Sequence, residues 1–463
     1  MAANNIPTVL VIFGATGDLM VKKIVPALFQ LYEKGKLPKL FKIFGVARRD
    51  LTDEEFKTHV GKILRSHPDI ETNKNIDKFI NYFSYHSGKF EDIEDYKSLA
   101  TMLGRVDNEW RACSNKLFYL AVPPVFTEQI FKNLAASGLT IPCGPEEGWT
   151  RVIVEKPFGS DLKTAEQLDL LLGKLFKEEQ IYRIDHYLAK EMLQNILSFR
   201  FSNTLFEESW NHRFIEKIDI RLLEDIGVEE RGGFYDGVGA LRDVGQNHLL
   251  QMLALVTMEK PKNLEAKTVR TLRAKLLKGL KRPGRKEIED FTTRAQYAGY
   301  QTIKGVNSKS QTETYFKIRA FLDSPRWRNV PIILESGKRK EKLKEIVVTF
   351  KHPSPCLCPG GEHYKNTVTF SLEPKEAITI NFLSKTPGLT HAVEKRSFDL
   401  TIRDLKNKSQ YVEEYVKLLL DCIEGNQLLF LSTEEVQASW NFIDPIIKAW
   451  QKGAVPLRSY IPL

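Results

Sequence analysis

The sequence has few cysteines, no low-complexity segment and no long apolar run near its start. Its 463 residues include five cysteines, Cys113, Cys143, Cys356, Cys358 and Cys422. A small, odd number of mostly distant cysteines argues against a secreted disulfide framework and favours a reducing compartment, so we expect a cytoplasmic protein. The apolar run at 9–13 is too short to span a bilayer and lacks the basic flank of a signal peptide. We therefore expect no membrane partner.

Apolar and charged residues are both plentiful. Hydrophobic residues make up 42% of the chain and charged residues 27%, which excludes a mainly disordered protein. The length is enough for about two or three domains. The chain has 68 Lys and Arg against 59 Asp and Glu, a net charge of +9. Such a charge attracts nucleic acids and small phosphorylated ligands alike, so charge alone does not separate these partners.

The first part of the chain alternates predicted strands with predicted helices. Apolar, β-branched runs predict strands at 9–13, 42–47, 116–122 and 151–154. This order is typical of a doubly wound parallel sheet, so we predict an α/β Rossmann-type dinucleotide-binding domain over residues 1–178.

From residue 179 to residue 463 the pattern changes. Alternating runs predict strands at 214–223, 314–321, 345–350, 366–372 and 377–382. Helical spacing appears near 240–258, 265–280, 409–423 and 433–452. We predict an α+β domain with a large, mostly antiparallel sheet covered by helices on one face.

A glycine turn follows the first predicted strand. The segment 14–19, Gly-Ala-Thr-Gly-Asp-Leu, opens a helix, and glycines in this setting let a pyrophosphate approach the positive end of the helix. A plain tight turn is the alternative. Arg48 and Arg49 follow the second strand, where an NAD enzyme would carry an acidic residue. Their guanidinium groups suit a 2′-phosphate, so we predict NADP, with a solvated pair as the alternative.

Two later segments carry polar side chains near the same predicted sheet edge. Lys156 directly follows a strand and could hold an anionic or hydroxylated substrate, although an ordinary surface lysine fits this position equally well. A helix starting near His186 would place His186 and Lys190 on one face, where both could bind one phosphate. Asp185 could cap that helix, and we expect this role to compete with any other contact of its carboxylate.

A histidine on the inner face of a helix is predicted in the segment 231–251. His248 shares a helical stripe with Leu241, Val244, Met252 and Leu255, so it points inward. An inward histidine is usually a satisfied core residue. A buried carboxylate such as Asp185 would instead fix one tautomer and stabilise the imidazolium, as a general base that removes a hydroxyl proton requires.

Two other patterns indicate weaker candidates. The stretch 270–286 has eight basic and no acidic residues, with leucines on one side, which is typical of a solvated helix face. A nucleic-acid-binding protein that uses this stretch is the non-enzymatic alternative, but no aromatic residues are interleaved with it, so we expect no nucleic acid partner. His352, Cys356, Cys358 and His363 match no usual zinc spacing, so no metal site is expected.

Taken together, these motifs resemble the glucose-6-phosphate dehydrogenase family. Four segments carry the resemblance in the family's order: 14–19, 155–159, 183–191 and 231–251. The resemblance implies two domains, NADP as coenzyme and a homodimer or homotetramer. It also implies oxidation of glucose 6-phosphate at C1 to 6-phospho-D-glucono-1,5-lactone, the first step of the oxidative pentose phosphate pathway.

The resemblance further implies roles for the matching residues. His248 would take the proton from the C1 hydroxyl with Asp185 as its partner, and no metal would be required. The substrate would be bound by Lys156, His186, Tyr187, Lys190, Glu224, Asp243 and Lys338. The coenzyme would be bound by Gly14, Thr16, Gly17, Asp18, Leu19, Arg48 and Lys156. The segment 121–124 would border the nicotinamide.

The chain departs from the family pattern in three places. Ala189 replaces a usual glycine, a change that a helix tolerates. The arginine that often follows Lys338 in the family has no assignable counterpart here. The longer tail that helps animal members bind a second, structural NADP is lacking, so that site is not carried over. An NAD(P)-dependent oxidoreductase of another sugar or sugar phosphate is the enzymatic alternative, and His186 with Lys190 favours a phosphate dianion over a neutral sugar.

Overall fold

Two β-sheets organise the chain in a computed structural model that describes residues 7–144, 148–355, 364–402 and 412–462. The strands are β1 (Thr8–Phe13), β2 (Phe41–Ala47), β3 (Phe83–Ser87), β4 (Asn115–Leu120), β5 (Thr150–Val154), β6 (Ile181–Ile184), β7 (Ile215–Leu223), β8 (Thr292–Tyr297), β9 (Tyr315–Ala320), β10 (Ile332–Gly337), β11 (Leu343–Phe350), β12 (Thr367–Glu373), β13 (Ala377–Lys385), β14 (Val393–Thr401), β15 (Phe430–Leu431) and β16 (Leu457–Tyr460).

Helices pack around both sheets. They are α1 (Val25–Glu33), α2 (Asp53–Arg65), α3 (Ile76–Phe79), α4 (Ile93–Trp110), α5 (Thr127–Ala136), α6 (Leu162–Leu175), α7 (Glu191–Phe201), α8 (Thr204–Glu207), α9 (Gly232–Tyr235), α10 (Leu250–Thr257), α11 (Ala266–Lys278), α12 (Arg285–Phe291), α13 (Glu414–Glu424) and α14 (Thr433–Gln451). Within the described ranges, no helix is long and apolar enough to cross a membrane.

The first sheet has the doubly wound order β15-β6-β5-β4-β1-β2-β3. All its pairs are parallel except β15 with β6. Every residue of β1 is buried, which explains its continuous apolar run: a parallel strand covered on both faces has no polar side. The strand order reverses at β1, so the carboxyl ends of β1 and β4 border a crevice of the kind that binds ligands in such folds.

The sequence predicted four strands of this sheet to within two residues at each end. Strands β3, β6 and β15 were not predicted, since each is short or comes from a distant part of the chain. Strand β6 lies past residue 178, yet it pairs with β5 in the first sheet. The division of the chain at residue 178 stays a prediction.

The second sheet confirms the predicted mostly antiparallel architecture. Its order is β14-β13-β12-β11-β7-β10-β9-β8-β16, and only β7 with β10 and β8 with β16 pair in parallel. The apolar residues of β7 alternate with polar ones, with Ile218, Ile220 and Leu222 buried. This alternation of period two marks a strand with one face on the core. Strand β14 forms one edge of the sheet.

Cys113 and Cys143 form a disulfide that the sequence argument did not predict. They are 30 residues apart in the chain, but Cys113 precedes β4 and Cys143 lies in the segment before β5. Because β4 and β5 are neighbours in the sheet, the segments leading into them meet. Cys422 is a buried free thiol. Cys356, Cys358 and His363, for which no zinc site was expected, lie outside the described residues.

Candidate active site

The inward histidine and the candidate carboxylate are in direct contact. Nδ1 of His248 lies 2.5 Å from Oδ1 of Asp185, and both side chains are almost fully buried. His248 sits in a π-helical segment, Leu241–Leu249, that continues into α10, and Asp185 follows the carboxyl end of β6. The carboxylate thus comes from the edge of the first sheet and the imidazole from a helix.

Asp185 also caps the turn that follows it, so the expected competition between its two roles does not occur. Its Oδ1 accepts the Tyr187 backbone N–H at 3.0 Å as well as the His248 ring N–H. Within the described residues its Oδ2 is buried without a hydrogen-bond partner. One oxygen performs both tasks because the short turn brings the Tyr187 amide and the histidine to the same side of the carboxylate.

Lys156 lies on the other side of the histidine ring. Its Nζ is 3.2 Å from His248 Nε2, 2.9 Å from the Asp243 carbonyl oxygen and 3.4 Å from Asp243 Oδ1. An ammonium only donates, so Nε2 is the accepting nitrogen and Nδ1 carries the proton that is donated to Asp185. The ring is therefore held in the tautomer that a base needs.

Burial and neighbouring charges set the protonation states. Burial lowers the pKa of His248, and the Lys156 ammonium lowers it further, so the ring is neutral at neutral pH despite the opposing effect of Asp185. Burial alone would raise the pKa of Asp185, but the hydrogen bond from His248 and the positive charge of Lys156 oppose burial, and the pKa stays below its usual value. The pair is thus a neutral imidazole beside a carboxylate.

No α-helix starts near His186, so the prediction that His186 and Lys190 share one helical face is wrong. His186–Ala189 forms a 3-10 turn, and α7 begins only at Glu191, after Lys190. Both side chains nevertheless lie beside Tyr187: the His186 ring centroid is 5.0 Å from that of Tyr187, and Lys190 Nζ is 5.3 Å from the Tyr187 centroid. Burial keeps the pKa of His186 well below its usual value, so Lys190 is the only cation of this pair.

Lys344 is a further cation at this position that sequence reasoning missed. Its Nζ is 6.0 Å from the centroid of the Tyr187 ring, 3.0 Å from Glu373 Oε1 and 3.9 Å from Glu224 Oε1. One face of the Tyr187 ring is stacked on His248, with centroids 4.1 Å apart. Lys344 belongs to a lysine-rich run, and nothing in the local sequence marks it as a functional residue. It lies beside Glu224 only because β11 pairs with β7.

Glu224 and Lys338 form an ion pair at the ends of β7 and β10. These two strands run in parallel, so their carboxyl ends meet at one edge of the sheet. The Tyr460 hydroxyl donates to the Lys338 carbonyl oxygen at 2.6 Å and so fixes the segment after β10. Tyr460 was not singled out in the sequence, because its strand β16 is short and near the chain end.

The glycine turn has the shape that the dinucleotide interpretation requires. Gly14 has a φ of +85°, and a Cβ on it would overlap the carbonyl oxygen of Ala121. Gly17 donates its N–H to the Gly14 carbonyl oxygen at 2.9 Å, and a π-helical turn, Met20–Ile24, leads into α1. The small turn leaves open the approach to the positive helix end that a pyrophosphate uses.

The remaining predicted coenzyme residues lie around this turn. Thr16 is in the turn, Leu19 packs partly against the core, and Asp18 is exposed and paired with Lys22 at 2.9 Å. Arg48 is exposed at the end of β2, with its guanidinium 5.2 Å from the Phe126 ring centroid and 5.9 Å from that of Phe90. A guanidinium anchored in this way can present its donors to a phosphate.

A cavity of about 640 Å³ lies at the carboxyl ends of β4 and β5. Val122, Pro124 and Lys156 are among its lining residues, so Lys156 is shared between this cavity and the histidine. The structure therefore brings together the predicted nicotinamide border and the predicted base. Lys156 joins Pro157 by a cis peptide bond.

Two further groups of side chains concern the basic stretch and a possible metal site. Arg270 and Arg273, in the basic stretch, are buried and paired with Glu178 and Glu435, so they do not belong to a solvated face. Ligand atoms of Asp185, His186 and His248 lie within 4.8 Å of one another, as in a metal site. The Lys156 ammonium beside His248 would repel a cation there.

Comparison with known proteins decides the family. The model of the glucose-6-phosphate dehydrogenase NAD-binding domain matches residues 11–195, and that of the C-terminal domain of the same enzyme matches residues 197–462. The chain belongs to the glucose-6-phosphate dehydrogenase family. The family resemblance, the fold class and the NADP dependence predicted from the sequence are thereby confirmed.

Relatives and solved structures of this family cover almost the whole chain. The glucose-6-phosphate 1-dehydrogenase of Chlamydia muridarum is 38% identical over 98% of this chain and 92% of its own length. The glucose-6-phosphate 1-dehydrogenase of Aggregatibacter actinomycetemcomitans is 39% identical over 96% of this chain and 91% of its own length. A solved glucose-6-phosphate dehydrogenase in complex with its substrate glucose-6-phosphate superposes with a TM-score of 0.90 at 33% identity, covering 99% of this chain and 95% of that chain.

Proposed function

We propose that this chain oxidises glucose 6-phosphate at C1 to the 1,5-lactone and reduces NADP, with His248 as the general base. The observation that carries the proposal is the buried Asp185–His248 pair, whose accepting nitrogen faces Lys156 at the edge of the coenzyme cavity. Membership of the family and the similarity to a substrate complex of the same enzyme support it.

His248 would take the proton of the C1 hydroxyl on Nε2. The proton already on Nδ1 stays in the hydrogen bond to Asp185, whose negative charge stabilises the imidazolium that forms. As the oxygen loses its proton, the C1–H bond breaks and its electron pair leaves as hydride. Proton removal and hydride loss together convert the hemiacetal carbon into the lactone carbonyl.

Four polar residues would hold the sugar in register. Lys156 and Asp243 are in contact on the His248 side, and Glu224 and Lys338 are paired at the ends of β7 and β10. These groups offer both donors and acceptors, which suits a ligand whose hydroxyls need both. Such fixed partners orient C1 toward the base and the coenzyme.

Tyr187 marks the position of the substrate phosphate in this proposal. Lys190 and Lys344 place their ammonium groups near its ring, and His186 adds a neutral ring that can donate one hydrogen bond. Two cations beside the same ring suit a dianion and so favour a phosphorylated sugar. Lys344 thus replaces His186 as the second charge.

NADP would be held by Gly14, Thr16, Gly17, Asp18, Leu19 and Arg48, with Lys156 at the nicotinamide end. The positive φ of Gly14 and the overlap that a side chain would cause fit a close approach of phosphate to the backbone. When bound, the nicotinamide supplies the hydride acceptor. Arg48 presents a guanidinium for the 2′-phosphate.

The test is the appearance of NADPH absorbance with purified enzyme, NADP and either glucose 6-phosphate or glucose. We expect turnover with glucose 6-phosphate and a kcat/KM at least about 100-fold lower with glucose, since charge-assisted hydrogen bonds to phosphate are lost. Equal kcat/KM for both sugars would overturn the assigned substrate. Absence of NADPH formation with either sugar would overturn the proposed activity.

A homodimer or homotetramer, located in the cytoplasm, belongs to the same proposal. Phe398 and Leu400 on the edge strand β14 are 68% and 60% exposed. An edge strand presents unpaired backbone groups to which another chain can pair, and we propose a second copy of this chain as that partner. Light scattering of the wild type and of Phe398→Glu would show an oligomer that dissociates in the variant; a monomeric wild type would contradict this.

A further inference from the structure

Both ammonium groups near Tyr187 already have carboxylate partners from the second part of the chain. Lys190 Nζ is 2.8 Å from Oε1 of Glu414, the first residue of α13. Lys344 Nζ is 3.0 Å from Oε1 of Glu373, the last residue of β12. The site thus contains its own anions, which are paired with the same two lysines that would bind a phosphate.

These pairs differ from ordinary surface ion pairs in their burial. The side chains of Lys190 and Glu414 are 17% and 16% exposed, whereas those of the surface pair Lys278 and Glu434 are 57% and 63% exposed. Water and salt screen a charge less when it is mostly buried. The Lys190 and Lys23 charges outweigh the effect of burial and hold the pKa of Glu414 below its usual value, so it is anionic at neutral pH.

A phosphate that reaches Lys190 must approach Glu414. Two like charges about 5 Å apart repel each other appreciably in a part-buried site, and the phosphate carries two. The phosphate therefore either displaces the carboxylate from Lys190 or binds against its repulsion. A phosphate that reaches Lys344 meets Glu373 in the same way, although Glu373 is somewhat more exposed, at 26%.

We propose that Glu414 and Glu373 are internal counter-anions of the phosphate site that oppose phosphate binding and thereby set the site's affinity for anions. The inference rests on the proposed function for the position of the phosphate. Glucose 6-phosphate overcomes the opposition because its sugar makes separate contacts with Lys156, Asp243 and Glu224. Free inorganic phosphate has no such contacts, so the carboxylates keep it from inhibiting the enzyme.

The experiment compares Glu414→Gln with the wild type. Glutamine keeps the size of the side chain and removes its charge. We expect the KM for glucose 6-phosphate and the inhibition constant of inorganic phosphate to fall about three- to tenfold, the scale of one charge interaction in a part-buried site. The KM for glucose, which lacks the phosphate, should not change.

Two further variants complete the design. Glu373→Gln, on a different element, should lower the same two constants by a smaller factor, because that carboxylate is more exposed. Glu434→Gln removes the carboxylate of the exposed Lys278 pair and should leave all three constants as in the wild type. Glu373→Gln also keeps the inference testable if Glu414→Gln does not fold.

Two outcomes of the measurements on Glu414→Gln would contradict the inference. A higher KM for glucose 6-phosphate in Glu414→Gln would show that Glu414 positions Lys190 instead of opposing the phosphate. Equal changes in KM for glucose and glucose 6-phosphate would show a general structural role. If the wild type does not oxidise glucose 6-phosphate, the proposed function fails, while calorimetric titration of inorganic phosphate into wild type and variant still tests the carboxylates.

Discussion

The two ends of the active-site cleft are built in different ways. At one end, His248 and Asp185 are 3% and 1% exposed and joined at 2.5 Å, and Lys156 and Tyr187 touch the histidine from two other sides. At the other end, Arg48, Arg49 and Asp18 are exposed. The chain itself fixes the groups that would perform the proton transfer, whereas the coenzyme would order the groups that hold it.

This difference predicts where substitutions act. A buried, preorganised pair contributes to the transition state, so its loss should lower kcat. An exposed cation binds its ligand in the ground state and in the transition state alike, so its loss should raise KM and leave kcat nearly unchanged. Substitutions at each end of the cleft, and of Lys156 between the two ends, should therefore have distinct kinetic effects.

Asp185→Asn should have the largest effect of the three. The amide keeps the size of the carboxylate and an oxygen for the Tyr187 N–H, but it removes the charge that stabilises the imidazolium. We expect kcat to fall about 100-fold or more, with an unchanged melting temperature as the control for folding. A fall of less than about threefold in kcat would show that the buried pair is structural.

Replacing Arg48 and Arg49 with alanine should have an intermediate effect, confined to binding. Each guanidinium can give charge-assisted hydrogen bonds to a 2′-phosphate, so we expect the KM for NADP to rise about tenfold. The KM for NAD, which lacks this phosphate, should change little. Initial rates with both coenzymes measure this, and an equal loss with NADP and NAD would contradict the assignment.

Lys156→Gln should produce the smallest and most specific change, in the pH profile. The ammonium lowers the pKa of His248, and a base must be deprotonated to act, so activity falls as the pH drops through this pKa. Removing the ammonium raises the pKa of His248. The acid limb of kcat/KM should therefore move to higher pH, whatever happens to the maximal rate; a limb that moves to lower pH would contradict the assigned contact.

The coenzyme end could be predicted from the sequence more fully than the substrate end. Gly14, Gly17 and Arg48 follow the carboxyl ends of strands with clear apolar patterns, so local sequence places them. Lys344, Glu373 and Glu414 lie on elements that meet only through the packing of the second sheet and α13, and no local pattern reports such a meeting. The wrong helix start at His186 had a local cause, since a 3-10 turn and the α-helix after it share one apolar pattern.

The disulfide and the carboxylate of Asp185 also show that local sequence does not predict contacts between distant segments. Cys113 and Cys143 are distant in sequence and meet because β4 and β5 are neighbours. Both roles of Asp185 were considered from the sequence, but their coexistence on one oxygen was not expected, because it depends on how closely the turn after β6 approaches the segment that carries His248.

The most direct test of the account is the rate of NADPH formation from glucose 6-phosphate by His248→Asn. The variant should lose turnover by a factor of about 10²–10⁴, while glucose 6-phosphate binds with nearly the wild-type affinity in a direct titration. This result would establish His248 as the base. A variant with wild-type turnover would make His248 a core residue and contradict the central claim.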